Sequence, residues 1–212
     1  QLGFSQTLFW TELFNSNPIA TPVAGTLANN FVTVNGTWSV ASNLNLNNGA
    51  LPNTWYVSCQ EAGHTAGACG TSCSGGAGDP TLHVASTTVG DNGATYLASS
   101  FSETHDRAQS PIINCAGKSS IVISFNYILN GEGSDDNATL QLFDGTTWNN
   151  VLLSKTPLTC APQGQWTRFS MALPSLYNNL ANFRIGFLWD NDNDALGTDP
   201  SFAVDSINLF YT

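Results

Sequence analysis

Charge is scarce in this chain. Only 9% of its residues are Asp, Glu, Lys or Arg, against roughly a quarter in an ordinary globular protein. Five Lys plus Arg stand against fifteen Asp plus Glu, a formal charge of −10. No basic patch is left to release counterions from a phosphate backbone, which argues against nucleic acid as a partner. Long apolar runs are missing too, none approaching the roughly 18 residues that a membrane helix needs, so no membrane span is expected. The sequence has no H-E-x-x-H, no G-x-S-x-G elbow, no G-x-x-x-x-G-K-[ST] and no G-x-G-x-x-G. His83, in Thr81-Leu82-His83-Val84, and His105, beside Asp106, therefore read as strand and loop histidines, and no enzyme is expected.

What replaces charge is neutral polarity: 23 Asn, 22 Thr and 21 Ser. Short alternating segments run through this background. Ile121, Ile123, Phe125 and Tyr127 share one face of a segment whose other face carries Val122, Ser124 and Asn126, and Phe183, Ile185, Phe187 and Trp189 repeat the pattern. Further strands are expected over 7–14, 31–34, 37–41, 54–58, 81–88, 94–99, 138–143, 147–153, 166–171 and 201–211. Turns at Asn35-Gly36, Asn48-Gly49, Asn92-Gly93 and Asp144-Gly145 punctuate them. The one helical hint is Pro174 to Leu180. About a dozen short strands predict an all-β fold, an antiparallel two-sheet β-sandwich of jelly-roll type, as a single domain over 1–212. Residues 59–79, rich in Gly and Cys with little to bury, are expected to be a crosslinked surface loop.

The chain begins at Gln1 rather than Met, which reads as a processed, exported chain with its signal peptide removed. In an oxidising compartment Cys59, Cys69, Cys73, Cys115 and Cys160 form two bridges and leave one thiol. Cys115 and Cys160 each just precede a strand and are expected to pair, with the other bridge inside the 59–73 loop. Cys59, His64, Cys69 and Cys73 also offer four soft ligands, but no C-x2-C pair occurs and disulfides are favoured over zinc.

Two carboxylates stand in apolar settings at opposite ends of the chain: Glu12 in Phe9-Trp10-Thr11-Glu12-Leu13-Phe14, and Asp205 in Phe202-Ala203-Val204-Asp205-Ser206-Ile207. A buried charge needs a partner, and basic residues are too few. Calcium, with six to eight oxygen ligands, satisfies both, with Asp79 and Asp91 as additional ligands. Asp190, Asp192, Asp194 and Asp199 make a second possible metal loop, although Gly197 is misplaced and no Glu closes an EF-hand. Asp135-Asp136-Asn137 reads as a plain hairpin turn. Among the aromatics, Trp55, Tyr56 and Trp148 stand next to Asn- and Thr-rich turns and are the candidates for stacking on sugar rings.

The Phe9–Phe14 run, the Trp38 strand, Asp79-Pro80-Thr81-Leu82-His83-Val84, Ser110-Pro111-Ile112-Ile113 and Pro200-Ser201-Phe202-Ala203-Val204-Asp205-Ser206-Ile207 together resemble the jelly-roll domains of secreted Bacteroidetes surface proteins, akin to MAM and galactose-binding-like sandwiches. The resemblance implies a non-catalytic domain with a structural calcium near the chain ends. It also implies an O-glycan at Ser206, in the triplet Asp205-Ser206-Ile207.

Two functions follow. One is a structural or adhesive cell-surface subunit, extracellular, partnered by copies of itself or other surface proteins and polymerising by exchange of an N-terminal strand anchored by Leu2, Phe4, Leu8 and Trp10. The other is a calcium-stabilised carbohydrate-binding module, with glycans as partners.

Overall fold

The computed structural model describes residues 5–15, 30–44, 46–71, 79–86, 93–133 and 135–212, without the side chain of Asn30. The elements are β1 (Thr7–Glu12), β2 (Asn30–Thr33), β3 (Gly36–Ala41), β4 (Asn53–Ser58), β5 (Thr81–Ser86), β6 (Thr104–Gln109), β7 (Val122–Leu129), β8 (Asn137–Phe143), β9 (Trp148–Leu152), β10 (Thr167–Ala172), a 3-10 turn (Ser175–Tyr177), β11 (Arg184–Asn191) and β12 (Phe202–Tyr211). They form two antiparallel sheets, the β-sandwich expected. Sheet A runs β10-β7-β12-β5-β4, with β1 also paired to β12; sheet B runs β2-β3-β6-β11-β8-β9. No helix among the described residues is long and apolar enough to cross a membrane.

The period-2 pattern sets the core. From sheet A, Ile123, Phe125, Tyr127, Phe202, Val204 and Ile207 face Ala108, Leu140, Ile185, Phe187 and Trp189 of sheet B. Phe125 lies at the centre, edge-on to Phe187 at 5.4 Å and stacked with Phe169 at 4.8 Å. Leu173, just before the 3-10 turn, and Tyr177, within it, join this core.

The outer faces of the two sheets differ. In sheet A every residue of β4 and β5 is buried. Ile128 and Ala203 on its outer side pack with Trp166, and Gly70 of the Cys-rich segment comes against Ile128. A disulfide from Cys69 to Cys160 closes this cover. Sheet B has no comparable layer among the described residues and presents half-exposed side chains on β9 and β11.

The bridge corrects the expected Cys115–Cys160 pair. Cys115 is free and buried in the core between the sheets, whereas Cys160 belongs to the cover outside sheet A. Cys59 is also disulfide-bonded, and Cys73 lies outside the described residues. Residues 94–99 form no strand, and β6, absent from the expectation, fills the sheet-B position beside β11.

Glu12 ties the sheets together. It stands at the end of β1 in sheet A, 1% exposed, and its Oε1 accepts the backbone N–H groups of Leu13 and Phe14, each at 3.1 Å. Its Oε2 accepts from Thr33 Oγ1 at 2.6 Å, Asn35 Nδ2 at 3.0 Å and Trp38 Nε1 at 3.1 Å, all from the β2–β3 hairpin of sheet B. Neutral donors thus solvate this buried carboxylate. Glu12→Gln places an N–H₂ among donors and is expected to cost about 2–4 kcal/mol, read as a lower urea midpoint at unchanged slope. A loss under 0.5 kcal/mol would show that this network does not hold the sheets.

Candidate glycan-binding face and buried carboxylates

On β6, Ala108 points into the core while Arg107 and Gln109 point outward, and Gly186, Gln141 and Trp148 of β11, β8 and β9 share that outer face of sheet B. Gly186 is there for space: a Cβ would come within 2.6 Å of Arg107 Cδ and 2.9 Å of a Trp148 ring carbon. That gap lets the Arg107 guanidinium lie 3.9 Å from the centroid of the Trp148 ring, with Phe143 tilted against the same indole at 5.1 Å.

Amides hold the guanidinium from both sides. Arg107 Nη1 donates to Gln141 Oε1 at 2.9 Å, and Nε and Nη2 each reach Gln109 Oε1 at 3.3 Å. Gln109 in turn donates to Ser39 Oγ at 3.0 Å, and Gln141 to Asn150 Oδ1 at 2.7 Å. The chain of polar groups therefore crosses sheet B from β3 to β9. Burial pushes the Arg107 guanidinium down to about 10, still a cation at neutral pH. Neither Arg107 nor Arg184 has a carboxylate in ion-pair reach among the described residues. Beside them lies an open depression of about 290 Å³ lined by Gln109, Ile112, Phe143, Trp148, Asn182 and Arg184. A flat aromatic bordered by amides and guanidinium groups, offering both donors and acceptors, suits a polyhydroxylated ring.

Of the expected stacking residues, only Trp148 is placed for that role. Trp55 is fully buried, edge-on to Phe202, with its Nε1 donating to the carbonyl of Asp106; Tyr56 is buried against the His83 ring. The covering of sheet A on both faces removes them from solvent. Arg107 and Gln109 escaped the sequence reading because Thr104–Gln109 carries a single aliphatic residue. The available signal was the alternation of His105, Arg107 and Gln109.

The acidic residues do not gather as expected. Glu12 faces sheet B, whereas Asp205 lies on the outer side of sheet A with Ala203, so the two do not share a site. Asp205 and Asp79 meet His64 instead, and Asp91 lies outside the described residues. The nearby Asp205 carboxylate, against burial and together with Asp79, raises the His64 imidazole to about 9. Burial raises Asp205 itself to about 6. A bulge between Asp205 and Asn208 breaks the alternation at Ser206, which has φ 53° and is half-buried.

In the second acidic loop, Asp190 pairs with His105 at 2.9 Å, and Asp199 accepts from Ala94 N and Ser201 Oγ. Asp192 Oδ1 accepts from the backbone of Asp194. Asp194 groups with Glu132 and Asp136. Asp136 belongs to the segment read as a plain turn, yet it is 1% exposed. His83 and Ser58 are both fully buried, with His83 Nε2 2.9 Å from Ser58 Oγ. Leu8 is 48% exposed and Trp10 half-buried against the core, while Leu2 and Phe4 lie outside the described residues.

Among solved structures, the K1 cleaved adhesin domain of Lys-gingipain from Porphyromonas gingivalis W83 superposes with TM-score 0.50 at 9% identity, over 97% of this chain and 99% of that one. The K3 domain of the same protein gives 0.47 at 12%, over 96% and 98%. A family 11 carbohydrate-binding module from Clostridium thermocellum, in complex with a β-1,3-1,4-mixed-linked tetrasaccharide, gives 0.40 at 12%, over 84% and 89%. At such identity the first likeness is one of fold. No protein-family model and no curated protein matches the sequence.

Asp136 generates a pH prediction. Burial raises its carboxyl to about 7, opposed by the N–H of Asp192 and reinforced by the charges of Asp192, Asp194 and Glu132. A folded-state pKa above the unfolded value gives stability that is complete below about pH 4 and lost as pH rises through about 7. Asp136→Asn keeps an acceptor for Asp192 N and removes the charge. In chelator it is expected to gain on the order of 1–3 kcal/mol at pH 8 and almost nothing at pH 4, by calorimetric melting. Equal shifts at both pH values would contradict the assignment.

Proposed function

We propose that this protein is a non-catalytic, extracellular adhesive domain that holds a carbohydrate chain on the outer face of sheet B. The observation that carries the reading is the Trp148 indole seated on Arg107 over Gly186, beside a depression rimmed by Gln109, Asn182 and Arg184. The disulfides support an oxidising, extracellular location. The sandwich fold shared with a gingipain adhesin domain is consistent with adhesion. Self-assembly by strand exchange would require β1 to leave β12 of its own chain, with which it pairs from Thr7 to Glu12; the adhesive reading does not need it.

Native gel electrophoresis in soluble mannan, xylan, mixed-linkage glucan, pectin and alginate tests the proposal. At least one polysaccharide is expected to retard the native chain. Trp148→Ala should weaken that retention by about 30-fold or more, near 2 kcal/mol, with its melting temperature within a few degrees of native. No retardation across the panel, or equal retardation of the variant, would contradict it.

A further inference from the structure

A second constellation lies on the opposite side of the sandwich, under the edge of the disulfide-bound cover. His64 comes from the 59–71 segment, Asp79 from the entry to β5 and Asp205 from β12. His64 Nδ1 is 2.7 Å from Asp79 Oδ2 and 3.1 Å from Asp205 Oδ2, and the three atoms lie within 4.8 Å of one another.

The hydrogen bonding here is incomplete. Asp205 is 0% exposed; its Oδ1 accepts from Ser206 N at 2.6 Å, but its Oδ2 receives no aligned donor. An imidazole carries one N–H at Nδ1, which can point at only one oxygen. Asp79 is the nearer acceptor, and Asp205 Oδ2 is left aimed into the cluster. Asn126, the Cα partner of Asp205, repeats the defect: its Nδ2 donates to the His64 carbonyl at 2.7 Å, while its buried Oδ1 has no partner. Buried oxygens without partners are rare and call for an unseen group.

We propose that His64, Asp79 and Asp205 form a binding site for a divalent metal ion of the zinc type, with water completing a four-coordinate shell. Zinc takes nitrogen and carboxylate oxygen at about 2.0–2.2 Å, which sets tetrahedral donors about 3.3 Å apart. The present 2.7 and 3.1 Å spacings need only a small opening to reach it. An imidazole donor selects a first-row transition metal over calcium, which takes oxygen ligands. The outer shell is in place: Gly63 N lies 3.3 Å from Asp79 Oδ2, Ser206 N orients Asp205, and Asn126 holds the His64 backbone. The His64 side chain is about one-third exposed, at 36%, which leaves a side of the site open to water. Bound metal would join the cover, the entry to β5 and β12.

The full chain, stripped with chelator, is titrated with zinc chloride by calorimetry, beside His64→Gln, Asp79→Asn and His105→Gln. The last controls for the other His–carboxylate pair, His105 with Asp190. Native protein and His105→Gln are expected to bind one zinc per chain. His64→Gln and Asp79→Asn should bind at least about tenfold more weakly, and equimolar calcium should leave native binding unchanged. Cobalt(II) substituted for zinc should give visible d–d bands that Asp79→Asn alters. Melting in chelator checks that each variant is folded, and if His64→Gln is not, Asp79→Asn and the cobalt spectrum decide. No zinc binding by the native chain, equal binding by native and Asp79→Asn, displacement by calcium, or loss in His105→Gln would each overturn the proposal.

Discussion

The Glu12 carboxylate, buried between the sheets and solvated by Leu13, Phe14, Thr33, Asn35 and Trp38, is the interaction on which the sandwich depends. In a chain with only five Lys plus Arg, the donors around this buried acid are backbone N–H groups, an amide, a hydroxyl and an indole. The same scarcity explains why Trp38 is fully buried with its N–H satisfied, and why Asn35, in the β2–β3 turn, is occupied with Thr11 and Glu12 rather than with solvent. Asp106 is held in like manner by Asn43 and Asn48. High Asn, Ser and Thr content is thus structural as well as superficial.

Acids solved this way leave the few cations free for other work. Arg107 is stabilised by glutamines and an indole instead of a carboxylate, so its charge is not cancelled on the face it occupies. The two outer faces then divide. Sheet A is roofed by Trp166 and the segment pinned at Cys69, which hides Asp205 and Asn126, while sheet B stays open around Trp148. The proposed recognition face and the proposed metal site under the cover use separate residues.

Strands with aliphatic or aromatic alternation, such as β7 and β11, were legible because only one period fits Ile123-Phe125-Tyr127 or Ile185-Phe187-Trp189. β6 was not, since Thr104, His105, Asp106, Arg107 and Gln109 are polar and only Ala108 enters the core cluster. Losing β6 meant losing Arg107, which supports the Trp148 ring, with it. The cysteine pairing failed because adjacency to strands says nothing of which side of a sheet a residue ends on. Glu12 and Asp205 were correctly read as buried, but facing directions differ across β1 and β12, a property of register that spacing does not carry. Asp136 looked like a turn residue and is buried because Asp192 N and the start of β8 close over it.

The most direct test of carbohydrate recognition on sheet B is a titration of ¹⁵N-labelled protein with soluble oligosaccharides, followed at the tryptophan indole N–H signals. Trp38, Trp55, Trp166 and Trp189 are fully buried, and Trp148 lines the open depression. The account predicts that the Trp148 indole shifts together with amides of β6, β9 and β11 while the four buried indoles hold still. An unmoved Trp148, or shifts gathered around Trp10 and β1, would contradict it.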